Sequence, residues 1–91
     1  MGMKKFSLDY YEGKYAMHCD TKEKAEIFCN YLHKMGRTWR NGKSYTFLKW
    51  FTYEDETVYC FNHGFYTYLS SAKKNYTVLE FDDFDFSDRW E

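Results

Sequence analysis

Between Lys34 and Trp50 cations alternate with rings: Lys34, Arg37, Trp39, Arg40, Lys43, Tyr45, Lys49 and Trp50. Cationic side chains neutralise phosphates and aromatic faces stack bases, and a single-strand or nucleotide binder needs both. Arg37, Trp39, Arg40, Lys43, Lys49 and Trp50 therefore form one candidate anion- or nucleic-acid-binding set. Two plainer readings compete with it: Trp39 and Trp50 belong to the core above a solvated cationic surface, or the acidic end of the chain folds back onto the patch.

That acidic end, Phe81-Asp82-Asp83-Phe84-Asp85-Phe86-Ser87-Asp88-Arg89-Trp90-Glu91, is the second surface of interest. Rings alternating with carboxylates can anchor in a basic groove while presenting negative charge to it, and a nucleic-acid-binding protein owns such a groove. Asp82, Asp83, Phe84, Asp85, Phe86 and Trp90 are the candidate partner-binding residues, with Phe84, Phe86 and Trp90 as anchors. The plain alternative is a frayed terminus. Asp83-x-Asp85-x-Ser87 resembles the start of a calcium loop, but Asp88 stands where Gly is required and no twelfth-position Glu follows, so no EF-hand is expected.

Cys29/His33 at i, i+4 and Cys60-x-x-His63 are pairs at ligand-like spacing that together could make a Cys₂His₂ zinc site. Cys29 lies on an apolar helical stripe and Cys60 inside a strand, where small buried thiols are ordinary, so no metal and no cofactor is expected. His18 and Cys19 are neighbours in a strand and point to opposite faces, which precludes a nucleophile–base pair. No G-x-S-x-G, P-loop or G-x-G-x-x-G is present. The residues predict a protein that is not an enzyme.

These residues must be positioned by a small scaffold. Twenty-two of the 91 residues are Phe, Tyr or Trp, and there is no proline. Each such ring buries roughly 150–250 Å², and one helix on one sheet covers a single face, so some rings are expected to meet solvent, a second copy or a partner. The length suits one domain, and no run approaches the ~20 apolar residues of a membrane helix. The N-terminus lacks an apolar segment behind its lysines, and Phe6 stands where a myristoylation motif wants Ser or Thr. Three cysteines, an odd number, read as free thiols of a cytoplasmic protein. The net charge of −1 hides segregation: residues 80–91 carry −5 and the remainder +4.

Alternation of Phe6, Leu8 and Tyr10 with polar residues, the turn Tyr11-Glu12-Gly13 and the return 15–19 predict a β-hairpin. Asp20 as N-cap with Glu23, the stripe Ala25, Phe28, Cys29, Leu32 and Met35, and Gly36 as C-cap predict a helix over 21–35. Asn41-Gly42 predicts a tight type I′ hairpin. Strands follow over 45–53, 58–61 and 76–81, with 65–69 a short strand or the entry to a helical turn over 70–75. The expected class is α+β: a single domain over 1–81, a mainly antiparallel sheet with one amphipathic helix packed on one face, and a tail over 82–91.

The segments Cys19-Asp-Thr-Lys-Glu-Lys-Ala-Glu-Ile-Phe28, Tyr31-Leu32-His33-Lys-Met-Gly36-Arg-Thr-Trp39, Asn41-Gly42-Lys-Ser-Tyr45 and Asn75-Tyr76-Thr-Val-Leu-Glu-Phe81-Asp-Asp-Phe84 resemble small, mostly uncharacterised proteins encoded by phages and prophages of Gram-positive bacteria. The likeness runs from Tyr15 to Phe84; Asn75 replaces the Gly usual before the tyrosine. It implies a phage accessory protein, of a kind that often binds and blocks host machinery, CRISPR nucleases included, and it transfers no functional residue. The leading expectation is thus a host-protein inhibitor acting through the tail in the bacterial cytoplasm. Truncation after Phe81 would then abolish binding without unfolding the domain. The alternative is a nucleic-acid or nucleotide-signal binder using the basic–aromatic patch, and a third is a homodimer whose rings bury each other. No membrane partner is expected.

Overall fold

Among the described residues, three of the four strand pairings are long-range and one is a local hairpin. A computed structural model describes residues 4–45 and 50–86. The strands are β1 (Lys4–Lys5), β2 (Tyr15–His18), β3 (Thr57–Cys60), β4 (Phe65–Tyr68), β5 (Thr77–Glu80) and β6 (Phe84–Asp85); the helices are α1 (Lys22–Lys34) and α2 (Leu69–Asn75). Four strands form one mixed sheet in the order β4-β3-β2-β5, and β1 and β6 form a separate pair. The class is α+β. The antiparallel expectation holds for β2–β3 and β3–β4, whereas β5 lies parallel to β2 (Tyr15↔Thr77 to His18↔Glu80) and β6 parallel to β1.

Alternation along the strands gives the sheet two buried faces. Met17 and Tyr59 join Phe28, Cys29 and Leu32 of α1, Phe6 and Phe61 in the larger cluster. Ala16, Val58 and Cys60, the alternate residues of the same strands, share the smaller cluster with Ala72 of α2. A second helix therefore covers side chains that the single-helix expectation left open.

α1 begins where its sequence says, with one change of cap. Thr21 Oγ1, not Asp20, accepts from Lys24 N–H at 3.2 Å, while the Asp20 carboxylate takes the Lys24 ammonium at 2.7 Å. The helix closes on Gly36 N–H to His33 O and Arg37 N–H to Leu32 O. Met35, expected on the buried stripe, is instead 54 % exposed, because it is the C-cap residue and has left the helical face.

The expected N-terminal hairpin is absent. Leu8–Tyr10 form a 3₁₀ turn, and β1 pairs with β6 instead of with residues 15–19. The reason is Phe6, whose ring lies 5.2–5.6 Å from those of Tyr11, Phe28, Tyr31, Phe61, Phe84 and Phe86. A flat hairpin would put Phe6 against the sheet alone, whereas the 3₁₀ turn also buries Leu8 and Tyr11 in that cluster. Removing so central a ring costs about 3–5 kcal/mol, a large share of the roughly 5–15 kcal/mol that a domain has.

The boundary at Phe81 also falls inside the packed chain. Phe81–Asp83 form a 3₁₀ turn, Phe84 is 4 % exposed, and Phe86 stacks on Phe81 at 4.7 Å. Asp82 and Asp83 turn outward and the rings inward at 81–86, so this segment belongs to the fold. Earlier in the chain, the strand expected over 45–53 gives way to a 3₁₀ turn at Trp50–Thr52, residues 46–49 lying outside the described residues. Thr57 Oγ1 donates to Trp50 O and Trp50 Nε1 donates to Cys19 O, each at 3.2 Å, which seats this turn beside the sheet.

Candidate functional site

The hairpin after α1 and the β3–β4 turn meet backbone to backbone. Gly42 N–H donates to Trp39 O and Trp39 N–H to Lys43 O, both at 2.8 Å. The loop is thus Arg40-Asn41-Gly42, with Gly42 at φ +86 in the left-handed position of a three-residue hairpin, not the two-residue I′ turn expected. Asn41 Oδ1 accepts from Lys43 N–H at 3.0 Å and stiffens the tip. Arg40 N–H donates to Gly64 O at 2.8 Å. A Cβ on Gly64 would lie 2.6 Å from Arg40 N, and its φ is +75, so both contact and conformation require glycine there.

This junction forms a recess of about 230 Å³ lined by Trp39, Arg40, Asn41, Gly64, Phe65 and Tyr66. The Arg40 guanidinium carbon sits 5.7 Å from the centre of the Phe65 ring, within cation–π reach. Trp39 meets Tyr66 edge-on at 5.8 Å, and Tyr66 Oη shares a 3.2 Å hydrogen bond with Thr52 Oγ1. The His63 ring centre lies 6.2 Å from that of Phe65 and 5.8 Å from that of Tyr76, which it meets edge-on. Burial raises the Tyr76 phenol, which stays protonated.

The six residues of the basic–aromatic set do not act together. Arg40 is exposed and lines the recess, and Lys43 is exposed on the same hairpin. Trp39 is 3 % exposed and serves as a wall. Arg37 is half-buried and donates to Asn62 Oδ1 at 3.3 Å, and Asn62 Nδ2 in turn holds Tyr11 O and Gly13 O. Trp50 is committed to the Cys19 carbonyl, and Lys49 lies outside the described residues. Asn41, Gly64, Phe65 and Tyr66 were not singled out by sequence; the glycine of the Asn62-His63-Gly64 turn followed by two rings was the available signal.

Of the tail set, Phe84 is buried and Phe86 half-buried in the core, so neither is free to anchor in a partner's groove. Asp82 and Asp83 are exposed, Asp85 is half-buried beside β1, and Trp90 lies outside the described residues. Asp82 accepts from Lys24 at 2.9 Å, at the N-terminal turn of α1. The Arg37–Lys43 segment follows the other end of that helix, so Asp82 pairs away from the basic patch, and residues 87–91 lie outside the described residues.

The two Cys/His pairs do not converge. Cys29 and Cys60 belong to clusters on opposite faces of the sheet, His33 Nδ1 shares a hydrogen bond with Ser44 Oγ, and no group of three metal-ligating side chains gathers among the described residues. All three cysteines are buried free thiols. Burial pushes Cys29 up to about 12 and Cys60 up to about 11, and raises Cys19 well above its ordinary value. Such thiols stay protonated and are weak nucleophiles.

Among the described residues no helix is long and apolar enough to cross a membrane. Comparison with protein-family models, with curated proteins and with solved structures finds no match.

Proposed function

We propose that this chain is a small non-enzymatic binding protein whose recess at Trp39, Arg40, Asn41, Gly64, Phe65 and Tyr66 holds an aromatic base next to a phosphate, as in a nucleotide or a single-stranded nucleic acid. The carrying observation is Arg40 held over Phe65 at the mouth of that recess, a cation and a ring face in one place. Rings stack any base and cations meet the phosphates. The test is binding of a labelled single-stranded 15-mer across a salt series. Arg40→Ala with Lys43→Ala should weaken binding at least tenfold and make the slope of log K against log salt shallower by about 1.4, at ~0.7 per lost phosphate contact. Unchanged affinity and slope would remove the proposal.

A second reading rests on the exposed carboxylates of Glu80, Asp82 and Asp83. Outward acids above inward rings suit a basic partner surface. With the likeness of residues 15–84 to phage accessory proteins, this supports a phage product that binds and inhibits or redirects a host protein, such as a defence nuclease, in the host cytoplasm. It draws on charge alone, since Phe84 and Phe86 are engaged in the core. Asp82→Lys with Asp83→Lys should then abolish capture of the host protein while leaving oligonucleotide affinity intact; undiminished capture would exclude it.

A further inference from the structure

β5 is the last strand of the four-stranded sheet, and among the described residues no strand pairs with its outer side. In an extended strand the N–H and C=O of one residue point to the same side, and those of the next residue to the other. Thr77 N–H donates to Lys14 O, so the register Tyr15↔Thr77 to His18↔Glu80 turns Thr77 and Leu79 toward β2. Val78 N–H, Val78 C=O and Glu80 N–H therefore point away from the sheet. The Glu80 carbonyl is the one that opens the 3₁₀ turn at Phe81–Asp83. An open edge of this kind is a template for another strand unless a proline, a bulge or a charge laid over it stands in the way. The chain has no proline, and the Glu80 carboxylate is drawn back over β2 by His18 Nδ1 at 2.8 Å. Val78 and Leu79 are half-buried against opposite clusters, so a strand laid beside β5 would extend the cover of both faces.

The two ends of this edge carry opposite charge. Lys14 and the last-turn Lys73 and Lys74 of α2 are exposed where β5 begins. Glu80, Asp82 and Asp83 are exposed where it finishes, with Lys24 offsetting Asp82. Resting on the reading of these carboxylates as the face for a basic partner, we infer that β5 takes an extended segment of a partner protein as an added antiparallel strand. Antiparallel pairing is the more stable kind. It sets the segment's first half beside Glu80 and Asp83 and its last half beside Lys14, Lys73 and Lys74. The segment that fits is therefore basic at its start, apolar at alternate positions in its middle and acidic at its end. Backbone hydrogen bonds give such a pairing its affinity, while charge gives it direction and register.

Amide hydrogen exchange of the free chain tests the edge itself. Thr77 and Leu79 should exchange at least tenfold more slowly than Val78 and Glu80. Equal protection of all four would mean that the edge is already covered, and protection that grows with protein concentration would assign it to a second copy; either result overturns the inference. Titration then uses a capped peptide of two arginines, five alternating threonines and valines, and two glutamates, followed by amide shifts. It should bind at one per chain and slow exchange at Val78 and Glu80, and the same peptide with its charges exchanged end for end should bind at least fivefold more weakly. N-methylation of one set of alternate peptide residues should cost at least tenfold in affinity, and of the other set no more than twofold, because only one set donates to β5. Val78→Pro removes an outward donor and no bond to β2, and should weaken binding at least fivefold. Indifference to N-methylation of either set would overturn strand addition. The charge reading would then be judged separately, by host-protein capture with Asp82→Lys and Asp83→Lys. Absence of binding by both peptides would overturn the inference as well.

Discussion

Arg40 and Lys43 differ from Arg37 in what else they hold. Arg37 braces Asn62, and through it the carbonyls of Tyr11 and Gly13, so its charge is spent on the fold. Arg37→Ala should therefore lower stability by about 1 kcal/mol, the scale of a partly exposed charged hydrogen bond. Arg40→Ala should leave stability within about 0.5 kcal/mol and fail in binding instead. Chemical denaturation beside oligonucleotide titration reads the split, and equal effects of the two variants on both would contradict it. The buried thiols make a prediction of their own. In the folded chain Cys29 keeps its proton to about 12 and Cys60 to about 11, while an unfolded thiol loses it near 9.0. The folded state thus binds more protons above that value, so the stability these groups contribute is whole below pH 9.0 and declines as pH rises toward 11–12. Denaturant midpoints should fall between pH 8 and pH 10.5, and an aqueous thiol reagent at pH 8 should modify the three cysteines only after unfolding. Rapid modification of the native chain would contradict their burial.

At the scale of elements, the junction of the hairpin with the β3–β4 turn is the feature most exposed to a single change. Gly64→Ala meets Arg40 N at 2.6 Å in a left-handed conformation. That conformation alone costs about 1–2 kcal/mol, and relief of the contact must move the hairpin that carries Arg40. The variant should lose that much stability and lose ligand binding, whereas Thr21→Ala, which removes the α1 cap, should cost about 1 kcal/mol and leave binding unchanged. Both are read by thermal unfolding and titration. α1 was legible because its apolar residues recur every three or four positions, and β3 because Val58 and Cys60 alternate with Tyr59 and Phe61. The Arg40–Gly42 loop was legible in place though not in type, since Asn-Gly marks a turn while backbone bonding decides how many residues it spans. The pairing of β2 with β5 and of β1 with β6 was not legible: these strands are about 60 and 80 residues apart in sequence and carry no local turn signal. The recess was half legible for the same reason, because Arg40 and Phe65 meet only through a long-range backbone contact.

Across the whole molecule, the aromatic excess goes largely inward. Phe6, Tyr11, Phe28, Phe61, Phe84 and their neighbours bury one another, and α2 covers the second face, so ring burial supplies little motive for self-association. Light scattering should give the 11.2 kDa monomer. Charge stays divided along α1, with Lys24, Asp20 and Asp82 at its start and Arg37, Arg40 and Lys43 beyond its end. Since β6 completes the core, truncation after Phe81 should unfold the chain rather than yield a competent domain, and Phe84→Ala should cost about 3–5 kcal/mol; a cooperatively folded truncation would contradict this. The central claim is that one recess, built from the hairpin tip and the β3–β4 turn, carries the binding. Amide and indole chemical-shift mapping of the labelled chain during titration with nucleoside monophosphates and a single-stranded oligonucleotide tests it directly. Shifts should concentrate at Trp39–Lys43 and His63–Tyr66 and vanish in Arg40→Ala. Shifts confined to Glu80–Asp85, or none at saturating ligand, would contradict it.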